Sequence, residues 1–90
     1  MTQLDAFFSL HELAVRCGVD TDFVEQLIEL GVISVHAEGE RRFPCEVTLR
    51  VGKFIRLQRD LGVNAEGAAV IVELLDRIDA LEHRLRQLER

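Results

Sequence analysis

Ser9-Leu10-His11-Glu12-Leu13-Ala14-Val15-Arg16-Cys17-Gly18-Val19-Asp20-Thr21-Asp22-Phe23-Val24-Glu25-Gln26-Leu27-Ile28-Glu29-Leu30-Gly31 spells two short helices joined by a tight turn. Ser9 followed by Glu12 is a capping-box pattern, in which each side chain accepts from the other residue's backbone N–H. Leu10, Leu13, Ala14 and Cys17 recur at helical spacing and Gly18 supplies a stop, so the first helix covers about residues 10–17. Asp20 or Thr21 caps the second helix. Phe23, Val24, Leu27, Ile28 and Leu30 form its apolar side, and Gly31 ends it. A short connection around a glycine is what a helix-turn-helix requires.

Downstream, β-branched Val32, Ile33 and Val35 lead to Ala37-Glu38-Gly39-Glu40 and then Arg41-Arg42-Phe43-Pro44. This pattern predicts a β-hairpin with a glycine-containing turn, a wing. Upstream, Phe7 and Phe8 predict a short extended segment against the core. Pro44 breaks the second wing strand and opens a helix. Leu49, Phe54, Leu57 and Leu61 then place an apolar stripe on a helix over about residues 45–61. Gly62 suits its C-terminal stop and Asn64 the next N-cap. Asp60 is unfavourable near a helix C-terminus. A hydrogen bond accepted from the following helix would offset that cost.

The last helix starts near Ala65. Ile71, Leu74, Ile78, Leu81, Leu85 and Leu88 alternate at steps of three and four, a heptad seam. Such a helix extends roughly 35 Å, longer than a core of this size can cover. The sequence therefore predicts a homodimer, with Ile71 and Leu74 near the body and Leu81, Leu85 and Leu88 in the interface. Arg77 and Arg84 on one flank and Glu82 and Glu89 on the other lean toward a parallel pair. Rim charges are too weak to decide the orientation. Residues 1–63 read as a winged helix-turn-helix domain and 64–90 as a dimerisation helix. The fold class is mainly α, with a small β-hairpin wing and a long C-terminal coiled-coil helix.

Ninety residues bound the chain to one domain with an appended helix. No apolar run approaches the roughly 20 residues that span a bilayer. Met1-Thr2-Gln3-Leu4-Asp5 lacks the basic region of a signal peptide, so a cytoplasmic protein without membrane association is expected. Cys17 and Cys45 form no CxxC spacing and read as small buried residues in a reducing compartment. His11, His36 and His83 fall in three different elements. With no phosphate loop and no nucleophile motif, neither an enzyme nor a metal or cofactor site is expected.

The net charge of −5 hides an asymmetry. Residues 1–40 hold eight acids and one base, Arg16, whereas residues 41–62 hold six bases and two acids. Affinity for DNA comes largely from Lys and Arg at phosphates. The second helix, where a helix-turn-helix protein would read DNA, carries acids and no base. Asp20, Asp22, Glu25 and Glu29 are therefore candidate contacts to a basic protein partner. A solvated helix face with Asp20 and Asp22 favouring the N-terminus is the plainer alternative. Arg50, Lys53, Arg56 and Arg59 recur at spacing three, and Lys53 and Arg56 could meet acids on that partner. Pairing with local acids such as Asp60 is again plainer. Arg41 and Arg42 on the wing are the candidates for nucleic-acid contact.

In order, these elements resemble the MerR-like winged helix-turn-helix, and within that superfamily the chaperone-modulator CbpM family. The resemblance covers about Phe8 to Glu89. It is carried by Leu10-His11-Glu12-Leu13, Cys17-Gly18-Val19 and Glu29-Leu30-Gly31-Val32-Ile33. Its most specific part is Arg56-Leu57-Gln58-Arg59-Asp60-Leu61-Gly62-Val63-Asn64-Ala65-Glu66-Gly67, running into Glu73-Leu74-Leu75-Asp76-Arg77-Ile78. Two departures fall on the wing: Arg42-Phe43 stands where members often carry Trp, and a common Pro after the first wing strand is missing. The resemblance implies a modulator that binds the J-domain of a DnaJ-like, CbpA-type co-chaperone and blocks its work with Hsp70. The J-domain's Hsp70-facing helix is basic, so an acidic face is the expected complement. A MerR-like DNA-binding transcriptional regulator is the alternative.

Overall fold

The computed structural model describes residues 7–35 and 42–89. The expected wing turn, Ala37-Glu38-Gly39-Glu40, lies outside the described residues, as do His36 and Arg41. In chain order the elements are β1 (Phe7–Ser9), α1 (Leu10–Cys17), α2 (Thr21–Glu29), β2 (Arg42–Pro44), α3 (Val47–Leu61) and α4 (Ala65–Leu88).

The helix ends are set by local chemistry. The Glu12 N–H donates to Ser9 Oγ at 3.1 Å and the Ser9 N–H donates to Glu12 Oε1 at 2.8 Å, a complete capping box. Gly18 ends α1 at φ +73°, where a side chain would be strained, and the Val19 N–H reaches back to the Ala14 carbonyl at 3.0 Å. Of the two possible caps for α2, Asp20 serves: its Oδ1 accepts from the Phe23 N–H at 2.8 Å. Asn64 Oδ1 does the same for α4, accepting from the Gly67 N–H at 2.7 Å. Asn64 thus holds the position at which Asp60 was expected to receive a bond. The Asp60 carboxylate instead accepts from Arg59 Nε at 3.3 Å.

The small antiparallel sheet pairs β1 with β2, in register Phe7 with Pro44, Phe8 with Phe43 and Ser9 with Arg42. The expected hairpin between residues 32–35 and 41–44 is not what forms: residues 32–35 make no strand, and β2 pairs with β1. The Val32 N–H is tied to the Leu27 carbonyl at 2.9 Å, so the chain leaving α2 turns inward. Val32 and Ile33 are buried in the core. The second wing strand then takes the Phe7–Ser9 segment as its partner. The helix after it begins two residues later than expected, at Val47, with Thr48 Oγ1 donating to the Cys45 carbonyl at 2.9 Å.

Leu13, Val24, Leu27, Phe43, Val51, Phe54 and Val72 are fully buried, drawing one core from α1, α2, β2, α3 and α4. Phe23 meets Phe54 edge to face with ring centroids 5.9 Å apart. The expected α3 stripe is only half right. Phe54 is buried, yet Leu49 is 67% and Leu61 71% exposed. Leu49 lies two residues from buried Val51, about 200° around the helix, so both cannot face inward.

Small residues let α4 approach the body. Ala68 and Val72 are fully buried, and Ala65 and Ala69 pack beside them. The Ile71-to-Leu88 seam runs along the other side of the helix, roughly 160° away at 100° per residue. Leu74, expected near the body, is 52% exposed; Ile78, Leu81, Leu85 and Leu88 are also exposed, and Ile71 is half-buried. The side of α4 facing α3 was the one the seam did not mark.

Candidate protein-interaction surface

The buried side of α2 is set by Val24 and Leu27. Asp22, Glu25 and Glu29 follow one another at spacings of three and four and share one face, roughly opposite that buried pair. Asp22 and Glu29 are exposed, and Glu25 is half-buried. Asp20 is not part of that face. It is the N-cap, and its carboxylate also suits the positive end of the helix. The four acids singled out in the sequence therefore divide into one capping residue and a three-residue face. Neither the first turn of α2 nor its last holds a base.

The four α3 cations do not form one stripe. Each step of three residues turns back by about 60°, which spreads Arg50, Lys53, Arg56 and Arg59 over roughly half the helix circumference. Arg50 and Lys53 face α4. The Arg50 guanidinium pairs with the Asp76 carboxylate, and Lys53 Nζ lies 3.8 Å from Asp79 Oδ2. Arg56 is exposed and lies back along its own helix, so that a Cβ at Gly52 would come within 3.3 Å of its Nη1. Arg59 holds Asp60. Of the two cations proposed for a partner, Lys53 is thus engaged across the helix pair and Arg56 is accessible.

The wing candidates separate as well. Arg41 lies outside the described residues. Arg42 is exposed on β2, with its guanidinium 5.2 Å from the centroid of the Phe7 ring. The sequence did not reveal a matching contact one strand position away, where the Arg16 guanidinium stacks over Phe8 at 4.5 Å. Such contacts depend on β1 lying beside α1 and β2, which spacing along the chain does not report.

Two shallow depressions flank the turn between α1 and α2. One, about 640 Å³, is lined by Asp20, Asp22 and Gln26 with Val19 and Phe23. The other, about 440 Å³, runs from the same Val19 and Phe23 to Ile55, Gln58 and Arg59 on α3, past Cys17. Burial pushes the Cys17 thiol above its ordinary pKa of 9.0. Among the described residues, no group of three His, Cys, Asp or Glu side chains could hold a metal ion. No described helix is long and apolar enough to cross a membrane.

Residues 8–90 match the family model of the MerR HTH family regulatory proteins. A 32-residue stretch is 56% identical to the chaperone modulatory protein CbpM of Coxiella burnetii strain Dugway 5J108-111, and identical to the same degree to that of strain RSA 331 / Henzerling II. The stretch covers 36% of this chain and 30% of each relative, so the chain spans less than a third of the length of these relatives. Two capped helices about a glycine turn, the short sheet whose strands flank them, and a family match over almost the whole chain lead to one assignment: the chain belongs to the MerR HTH family of regulatory proteins.

Proposed function

We propose that this chain is a cytoplasmic chaperone modulator, a binding module that docks on the J-domain of a DnaJ-like, CbpA-type co-chaperone and restrains its action with Hsp70. The observation that carries the reading is the face formed by Asp22, Glu25 and Glu29 on α2, the helix that in a DNA reader would meet phosphates. An acidic face there repels a nucleic-acid backbone and attracts a basic protein surface. The name of the CbpM relatives supports the same reading. The exposed seam of α4 supports a homodimer that presents the acidic face twice.

Calorimetric titration with an isolated J-domain tests the proposal. Binding is expected, with affinity falling as salt rises and falling further in the Asp22→Lys, Glu29→Lys double variant. An unchanged affinity in a folded double variant would remove the acidic face from the interface.

The second reading, a MerR-like DNA-binding regulator, draws on the family membership and on Arg42, an exposed residue of β2. Neutralising phosphates needs Lys or Arg, and α2 carries neither. Tight, sequence-specific retardation of DNA at physiological salt, lost on Arg42→Ala, would establish it instead.

A further inference from the structure

The two depressions beside the α1–α2 turn share their middle. Val19 and Phe23 belong to both, and both side chains are half-buried, so apolar surface remains accessible there. One end carries Asp20 and Asp22. The other carries Ile55, Gln58 and Arg59. The Asp20 carboxylate is committed to the Phe23 N–H, which leaves exposed Asp22 as the anionic group of the first end. Arg59 is the cationic group of the second, with a side chain 69% exposed although it also meets Asp60.

We infer that the two depressions form one groove of opposite charge at its ends, and that it receives a helix of the co-chaperone's J-domain. That helix would present a base toward Asp22, an apolar side chain onto Val19 and Phe23, and an acid toward Arg59. The inference rests on the modulator reading above and adds to it. The acidic face alone would take any basic surface, whereas a groove with two signs of charge fixes the direction in which the partner lies. Complementary charges at separate points set register and exclude the reversed orientation. The apolar middle supplies the desolvated anchor that a purely electrostatic face lacks.

Cys17 gives the test an independent readout, because it lines the second depression and not the first. The full chain carrying Cys45→Ala is titrated with the isolated J-domain, alongside Asp22→Lys and Arg59→Glu variants of the same background. Cys17 alkylation is followed with and without the J-domain. Each charge reversal is expected to weaken binding by about fivefold or more, in the range of charge-pair effects at interfaces. Bound J-domain is expected to slow alkylation of Cys17. Weakening by Asp22→Lys alone, with Arg59→Glu silent and Cys17 equally reactive in the complex, overturns the groove and keeps the acidic face. Binding insensitive to both reversals, with Cys17 unprotected, overturns both and keeps only a modulator that docks elsewhere. No binding of the J-domain to the unreversed chain overturns the modulator reading and the groove with it.

Discussion

The Gly67 N–H sits 2.7 Å from Asn64 Oδ1, and a Cβ at Gly67 would come within 3.1 Å of that same oxygen and 3.0 Å of Val63 Cγ1. The cap that starts α4 is therefore closed over a position where a methyl group fits only if the Val63 or Asn64 side chain gives way by a few tenths of an ångström. Asn64→Ala is expected to cost about 1 kcal/mol of unfolding free energy, the usual size of a lost N-cap. Gly67→Ala would normally gain helix propensity. Here it is expected to lose stability instead, because the cap must shift to admit the methyl group. Urea denaturation of both variants checks this; a stabilised Gly67→Ala would contradict the closed geometry.

The two ion pairs between α3 and α4 differ in exposure. Arg50 and Asp76 are each about one-third exposed, whereas the Asp79 side chain is 69% exposed and 3.8 Å from Lys53. Asp76→Ala is therefore expected to cost on the order of 1 kcal/mol after screening is discounted, and Asp79→Ala no more than a few tenths. Thermal unfolding of the two variants gives the order. Equal losses would show that the lower exposure of Asp76 does not matter.

The apolar seam of α4 predicts concentration-dependent association. Sedimentation at micromolar concentration is expected to give a dimer, and Leu81→Lys with Leu85→Lys a monomer of unchanged core stability. Both positions are exposed and far from Ala68 and Val72, which hold the helix on the body. A monomeric parent chain would end the dimer reading.

The raised pKa of Cys17 makes stability depend on pH at the alkaline end. Burial favours the neutral thiol, so the folded state holds its proton more tightly than the unfolded chain does. The resulting stabilisation is fully present below the ordinary value of 9.0 and is lost as pH rises through the folded value. Cys17→Ala should flatten the difference between stabilities measured at pH 8 and at higher pH, relative to the parent. An identical pH profile in parent and variant would count against burial of the thiol.

What the chain announces in advance is the chemistry that acts over a few residues. Ser9 with Glu12, Gly18, Asp20, Gly62 and Asn64 all do in the fold what their types and spacing suggest, because each satisfies backbone groups within one turn. Contacts between distant segments were not legible. Nothing in Phe7-Phe8-Ser9 names Arg42-Phe43-Pro44 as its partner, and β-branched Val32 and Ile33 signal a strand while serving as core. On α3 and α4 the leucines misled for a common reason. Leu49, Leu61 and Leu74 face water, whereas the body side uses Val51 and Phe54 on α3 and, on α4, Ala68 and Val72, whose smaller side chains allow close helix approach. The acidic face of α2 was visible as a charge count. Its separation from the Asp20 cap, and the groove beside it, needed coordinates.

Since α4 buries Ala68 and Val72 on one side and bares Leu81 and Leu85 on nearly the opposite side, it works as a shaft with a fixed phase. Whatever covers the seam is held at a set rotation relative to the acidic face of α2. Inserting one residue between Val72 and Leu81 would leave both halves helical and turn that rotation by about 100°. The length of this helix, counted in single residues, is thus a directional constraint on everything the two ends hold.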